Sequence, residues 1–260
     1  MPENLQSYHE FITETAYLAG RLTLGYFQAG VHTDFKADQT PVTIADRQSE
    51  ELIRKRIEQR YPRHAIVGEE FGSKESQSSS HRWLIDPIDG TKSFIHGVPL
   101  YAVPIGLETD GVVEAGAAYF PALEEMISAA SGLGCWWNGR RARVSPVDCL
   151  ERSVAAYTDA ASFAEYNRGP AWERIQRRTW FQAGWGDAYG YALVATGRAE
   201  IMLDPIMNLW DCGPFPPILR EAGGYFGDWQ GKGSIYANEA LATTNTLLPQ
   251  LLELIAGDQL

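Results

Sequence analysis

A chain of 260 residues that is 45% hydrophobic and carries eight tryptophans has enough apolar mass for a large core, as one domain or as two halves sharing an interface, and is not a disordered segment. Its 33 Asp and Glu against 22 Lys and Arg leave a formal net charge of −11. Such a surface repels nucleic-acid phosphates and anionic membranes, which are recognised by clustered basic residues, so neither is an expected partner.

In chain order, the first segment reads as a long amphipathic helix, with Tyr8, Phe11, Ile12, Thr15, Leu18, Ala19, Leu22 and Tyr26 recurring on one face. The polar, Asp-rich stretch from Gly30 to Pro41 predicts a loop. A second helix starts near Thr43, whose hydroxyl can cap it with Asp46 three residues on; Ile44, Leu52, Ile53 and Ile57 form its buried side and Pro62 stops it. Ala65-Ile66-Val67 and Trp83-Leu84-Ile85 are short apolar strands, separated by a Ser-rich stretch from Ser73 to Arg82 that reads as an exposed loop. Segments near Ala102 to Glu108, Gly111 to Tyr119 and Glu125 to Ala130 suggest an antiparallel meander, and Asn138-Gly139 is a hairpin-turn signal.

After about Ser145 the rhythm alternates between strand and helix. Strands are expected at Ser153 to Tyr157, Thr179 to Gln182 and Glu200 to Leu203. Helices are expected at Ala171 to Arg178, Ala188 to Thr196, after Asp211, and at Leu247 to Ala256. The pattern divides the chain into an α+β half, residues 1–145, and an α/β half, residues 146–260, packed as one unit. Three cysteines, Cys135, Cys149 and Cys212, with no C-x-x-C, argue against a disulfide framework or a thiolate zinc site and fit a reducing cytoplasm. The start Met1-Pro2-Glu3-Asn4 lacks the basic-then-apolar pattern of a signal peptide, and no apolar run is long enough to span a bilayer. The five histidines show no metal-ligand spacing and read as surface or loop residues.

Three carboxylate groups, Glu69-Glu70, Asp86 with Asp89, and Asp211, stand where an apolar strand ends or a helix begins, which is where sites collect in sheet-based folds. In Asp86-Pro87-Ile88-Asp89-Gly90-Thr91, Pro87 forces Asp86 into an extended conformation and the chain then turns, so both carboxylates and the Ile88 carbonyl can face one space. Gly90 permits close backbone approach, and the N–H groups of Gly90 and Thr91 can open a helix facing an anion. Hard oxygen donors of this kind suit Mg²⁺ rather than zinc. The same run is also an ordinary turn sequence. It is not an EF-hand loop, lacking that acidic spacing, nor a haloacid-dehalogenase-type D-x-D-G-T motif, because Pro87 stands at the nucleophile position.

Taken together, Gly68-Glu69-Glu70, Trp83-Leu84-Ile85-Asp86-Pro87-Ile88-Asp89-Gly90-Thr91-Lys92-Ser93-Phe94, and Trp210-Asp211 with Glu221-Ala222-Gly223-Gly224 resemble the inositol monophosphatase superfamily in order and spacing over nearly the whole chain. The resemblance implies a layered αβαβα sandwich of the inositol monophosphatase and fructose-1,6-bisphosphatase type, a homodimer, and catalysis with two or three Mg²⁺ ions. It implies Glu69, Asp86, the Ile88 carbonyl, Asp89 and Asp211 as metal ligands. It implies Asp46 as a residue that helps position the site, Gly90 and Thr91 as the phosphate-binding pair, and Lys36 in a loop that closes near the metals. Glu69 and Thr91 would orient and deprotonate the attacking water. Asp34, Asp38 and Glu70 are left open between solvated charge and a role near the metals.

The second half, with Trp185-Gly186-Asp187, Asp204-Pro205 and Asn208-Leu209-Trp210-Asp211, looks most like the histidinol-phosphatase branch. Asp187 and Asp204 would meet the cationic groups of histidinol phosphate by charge-assisted hydrogen bonds, with Asn208 as a hydrogen-bonding neighbour. Asp187 could also cap the helix at Ala188, and Asp204 could also start a turn, roles compatible with substrate binding. Trp185 and Tyr189 read more readily as core than as pocket wall. An inositol-1-monophosphatase or broad sugar-phosphate phosphatase is the alternative within the enzyme class, and a non-catalytic metabolite-binding protein on the same scaffold is the alternative outside it. One departure from the family pattern stands out. Cys212-Gly213-Pro214-Phe215-Pro216-Pro217 follows Asp211, so the helix expected there starts late or is distorted.

Overall fold

The structure, a computed structural model, describes residues 4–76 and 78–257. Met1–Glu3, part of the reading against a signal peptide, and Gln77 of the Ser-rich stretch lie outside the described residues.

The chain opens with α1 (Leu5–Leu24), a small hairpin of β1 (Thr33–Phe35) and β2 (Pro41–Thr43), and α2 (Ile44–Arg60). A large sheet follows, built from β3 (Ala65–Gly68), β4 (Gly72–Lys74), β5 (His81–Ile85), β6 (Val103–Thr109), β7 (Val112–Phe120), β8 (Glu125–Ala130), β9 (Gly134–Trp137) and β10 (Arg140–Arg141), with the short helix α3 (Thr91–Ile95) between β5 and β6. Its order is β10-β9-β8-β7-β6-β5-β3-β4, antiparallel except where β3 runs parallel to β5. Asn138 (φ 46°) and Gly139 (φ 75°) form the left-handed turn that pairs Trp137 with Arg140.

The second half contributes β11 (Val154–Tyr157), α4 (Ala160–Glu165), α5 (Gly169–Arg178), β12 (Phe181–Ala183), α6 (Asp187–Ala195), β13 (Ile201–Asp204), α7 (Leu209–Cys212), α8 (Phe215–Ala222), β14 (Gly224–Gly227), β15 (Ala240–Thr244) and α9 (Leu248–Ala256). Its sheet runs β12-β11-β13-β15-β14. Three apolar layers join these elements. Ile12, Ile53, Ile57, Trp83 and Leu107 bury α1 and α2 on one face of the large sheet. Leu84, Ala118 and Ile127 meet Tyr191, Phe215, Ile218 and Met202 where α6 and α8 fill the space between the sheets. Phe163, Trp172, Leu203 and Leu251 seat α4, α5 and α9 on the outer face of the second sheet. The result is the layered αβαβα sandwich, its middle core drawing on both halves.

Several sequence expectations are revised. The Gly30 to Pro41 stretch holds β1 and the turn that leads into β2, and β4 runs into the start of the stretch read as an exposed loop. β1 and β4 are three-residue strands without apolar alternation, paired only because a neighbouring strand is at hand. Helix α4 was not foreseen, its six residues being too few to show a period. Ile44 is 45% exposed rather than buried, because it is the first residue of α2 and points away from the sheet. Tyr26 lies in the turn after α1, and the buried stripe runs through Ala16, Gly20 and Thr23 instead of Leu22. Gly20 permits this, since a methyl group there would overlap Tyr119 and Pro121. His64 and His81 are not simple surface residues; they stack on one another at 4.6 Å inside an aromatic cluster with Tyr61 and Trp83. Trp185 is 48% exposed rather than core.

Candidate active site

The strand end after β5 sets the geometry. Asp86 Oδ1 accepts the Ile88 N–H at 2.9 Å, closing a small turn around Pro87, and Asp89 pairs its backbone with Ala102. Gly90 then adopts φ 82°, a left-handed conformation that favours glycine, and α3 begins at Thr91. Asp211 arrives from the other half. The helix expected after it is split: Asp211 is the third residue of α7, the chain breaks at Gly213-Pro214, and α8 starts at Phe215. Pro216 and Pro217 fall in the first turn of α8, where their missing N–H groups cost nothing. The Asn208 backbone N–H (2.8 Å) and side-chain amide (3.2 Å) both donate to Asp211 Oδ2.

These elements bring Asp86, Asp89 and Asp211 together, each offering a carboxylate oxygen within 4.8 Å of the others. Asp86 is pushed well above the usual carboxylate range by burial and then by the charges of Glu69, Asp89 and Asp211. Asp89 is raised by burial and by Asp187 and Asp211, and Asp211 is raised to about 7, chiefly by burial. Like charges crowded out of water are unfavourable without a counter-charge. A donor set made only of carboxylate oxygens fits a hard divalent cation, so the cluster satisfies the chemistry of a metal site.

Glu69 follows β3, in the turn beside this cluster, near enough to perturb Asp86 by charge and hydrogen bonding. Lys36, from the β1–β2 loop, reaches across with its ammonium 2.7 Å from Glu69 Oε1 and 2.6 Å from Glu70 Oε1. Burial opposes that charge, but the hydrogen bonds to Glu69 and Glu70 outweigh it and raise the Lys36 pKa. Glu70 is thus a partner of Lys36 rather than a solvated charge. Asp34 and Asp38 are exposed, the first near His32 and Arg47 and the second accepting from Thr40 in a local turn.

Asp46 is fully buried on α2. Its Oδ2 accepts from the Thr43 N–H (2.8 Å) and hydroxyl (2.6 Å), and its Oδ1 lies 3.4 Å from Thr91 Oγ1. Burial raises its pKa and the Thr43 bonds oppose that rise. Thr91 Oγ1 also donates to the Ile88 carbonyl at 3.0 Å.

Asp187 is the first residue of α6, and its carboxylate does not cap that helix; Oδ2 accepts from Ser93 Oγ at 3.3 Å and lies beside Gly90, where an added methyl would come within 3.1 Å of it. Asp89 Oδ1 takes the helix-end role instead, accepting the Ala188 N–H at 2.9 Å. Asp187 is raised to about 6 and Asp204 to about 8, burial being the main cause in both. Asp204, 4% exposed at the end of β13, accepts from the Tyr191 hydroxyl at 2.8 Å. Asn208 is exposed. Tyr189 is half-buried against Phe120, with its hydroxyl on Glu125. Ser49, Glu50, Ser93 and Thr158, which no sequence pattern marks as site residues, hold these groups through contacts between distant segments. None carries a local signal that would have found it.

No helix among the described residues is long and apolar enough to cross a membrane. The chain matches the Inositol monophosphatase family over residues 4–259. A protein named Histidinol-phosphatase from Chlorobaculum parvum is 42% identical over 246 residues, covering 94% of this chain and 95% of its own length. Another of that name from Streptomyces coelicolor is 31% identical over 249 residues, covering 90% and 91%. The crystal structure of extragenic suppressor protein suhB from Bartonella henselae superimposes with a TM-score of 0.90 at 27% identity, covering 97% of this chain and 99% of that one. A carboxylate cluster at a strand end can arise on many folds, but here it lies within a sandwich matched from end to end, and the chain therefore belongs to the inositol monophosphatase family and is a phosphoric monoester hydrolase.

Proposed function

We propose that the chain hydrolyses L-histidinol phosphate to L-histidinol and phosphate with two or three Mg²⁺ ions as cofactors. The observation that carries the chemistry is the meeting of Asp86, Asp89 and Asp211 within 4.8 Å beside the start of α3. Those carboxylates, with Glu69 and the Ile88 carbonyl, would hold the ions. When bound, the ions neutralise phosphate charge, lower the pKa of a water and stabilise the leaving alkoxide. Glu69 and Thr91 orient the water, and the Glu69 carboxylate takes its proton. Asp46, 3.4 Å from Thr91 Oγ1, is positioned to accept that hydroxyl's one hydrogen in place of the Ile88 carbonyl, which would turn a lone pair toward the water. The backbone N–H groups of Gly90 and Thr91 receive the phosphate oxygens. Water adds to phosphorus, the ester P–O bond breaks, and the alkoxide takes up a proton from a second water, while the proton held by Glu69 returns to solvent.

The substrate assignment rests on charge. Asp187 stands beside Gly90, where the phosphate would lie, and is the carboxylate best placed for a cationic group. Asp204, buried with its carboxyl accepting the Tyr191 hydroxyl and raised to about 8, would ionise once a cationic group sits against it, and Asn208 offers an amide hydrogen at the exposed rim. The names of the two sequence relatives support the same choice. We assign the protein to a reducing cytoplasm, consistent with three free cysteines, and to a homodimer, as family membership suggests. Phosphate release with Mg²⁺ should favour histidinol phosphate over inositol 1-phosphate and 3′-phosphoadenosine 5′-phosphate. Preference for inositol 1-phosphate would overturn the substrate, and full activity of Glu69→Gln would overturn the mechanism.

A further inference from the structure

We propose that Glu50 is a positioning residue for the phosphatase site, clamping the turn that carries Glu69 onto α2. The inference rests on the reading of Glu69 as a metal and water residue. Glu50 is fully buried, yet it touches neither the carboxylate cluster nor Lys36. Its Oε2 accepts the Glu70 N–H at 2.7 Å, and its Oε1 accepts the Phe71 N–H at 3.2 Å and the Arg54 Nε–H at 2.7 Å. Arg54, one helical turn on, donates its other nitrogen to the Gly72 carbonyl. Three successive residues after Glu69 are therefore tied to one i, i+4 pair on α2. Gly68, just before Glu69, makes the approach possible, because a methyl group there would overlap the Glu50 carboxylate.

The same helix face reaches the rest of the site. Asp46 approaches Thr91, and Ser49 Oγ donates to the Pro87 carbonyl at 3.0 Å, between Asp86 and Ile88. Asp46, Ser49 and Glu50, at i, i+3 and i+4, are each fully buried and each holds a different part of the site. The helix thus acts as a template that sets the separation of Glu69 from Asp86, on which a shared cation would depend. A buried carboxylate receiving two consecutive backbone N–H groups fixes a turn in a way a neutral amide cannot, because the amide has only one acceptor oxygen and would present its NH₂ to one of the donors.

The test is Glu50→Gln, read by calorimetric Mg²⁺ binding, by phosphate-release kinetics, and by hydrogen exchange at the Glu70 and Phe71 amides. Outer-shell residues of this kind shift metal affinity or activity by about 10–100-fold. Mg²⁺ affinity and kcat should fall within that range, KM should change less than kcat, exchange at the two amides should rise, and Glu50→Asp should recover part of the Mg²⁺ affinity. If Glu50→Gln does not fold, Arg54→Lys, which keeps the carboxylate and removes the Gly72 contact, should weaken Mg²⁺ binding in the same direction. Unchanged Mg²⁺ affinity and kcat in a folded variant, with Glu69→Gln inactive, would overturn the clamp alone. An active Glu69→Gln would instead remove the reading on which it rests.

Discussion

Asp89 serves two structures at once. One carboxylate oxygen receives the N–H at the start of α6, and the side chain also joins Asp86 and Asp211. Function and fold are coupled at this residue, so Asp89→Ala should lose activity and about 0.5–2 kcal/mol of stability, the usual cost of a lost helix cap. Asp86→Asn should separate the two effects, since Asp86 caps no helix and the backbone N–H it accepts, that of Ile88, lies within its own turn. At the substrate side, Asp187→Asn removes the charge and keeps the shape. Loss of a charge-assisted hydrogen bond of about 1.5 kcal/mol predicts a KM for histidinol phosphate raised roughly tenfold, with little change for inositol 1-phosphate. Equal losses on both substrates, measured by initial rates, would show that Asp187 does not read charge. His64 carries a pH signature of its own. Burial, then the charges of His81 and Arg63, lower its pKa from 6.5 to about 4. The unfolded chain therefore binds the extra proton across that interval, and stability falls as pH drops through it. Relative to His64→Gln, which keeps an acceptor for the Trp83 indole N–H, wild type should lose ground in urea midpoint between pH 7 and pH 5. A difference that does not vary with pH would mean the imidazole is not held neutral.

At the scale of elements, the break between α7 and α8 decides where Asp211 stands. The chain at Gly213-Pro214 lies directly on β6 and β7: a methyl group at Gly106 would fall 2.2 Å from the Gly213 carbonyl oxygen, and one at Gly116 would fall 2.5 Å from Pro214. Two glycines in adjacent strands, paired with each other, make a bare patch into which the helix junction sinks. Gly106→Ala should cost about 1–3 kcal/mol by overpacking and should lower activity further by moving Asp211. Gly169→Ala, at the open start of α5, is the control and should be nearly neutral. Thermal unfolding and phosphate release on the two variants check both effects. A fully active Gly106→Ala would show that α7 is placed by something else. The prolines were legible as a disturbance of the helix, but not as a split, because the resting place of the break lies in strands about 100 residues earlier.

At the scale of the whole molecule, the carboxylate cluster is a local source of instability that the three apolar layers tolerate. Mg²⁺ should raise the thermal midpoint, since ligand at 100 times its dissociation constant stabilises the folded state by about 2.7 kcal/mol. In chelator, Asp86→Asn should be more stable than wild type, and its response to Mg²⁺ should be weakened. Unfolding scans with and without Mg²⁺ measure this, and a wild-type midpoint indifferent to Mg²⁺ would contradict the metal reading.

Sequence alone carried most of the elements, because helical period, strand alternation and turn chemistry are written within windows of a few residues, and the resemblance to the inositol monophosphatase family supplied their layered arrangement. It also carried the strand-end motif at Asp86 to Thr91, where proline and glycine restrict the backbone locally. The short strands β1, β2 and β4, the stack of His64 on His81, and the holding contacts of Glu50, Ser93 and Tyr191 were decided only in three dimensions. Each depends on residues far apart in the chain, and the meeting of two such residues is set by the packing of the layers between them, which no local pattern encodes.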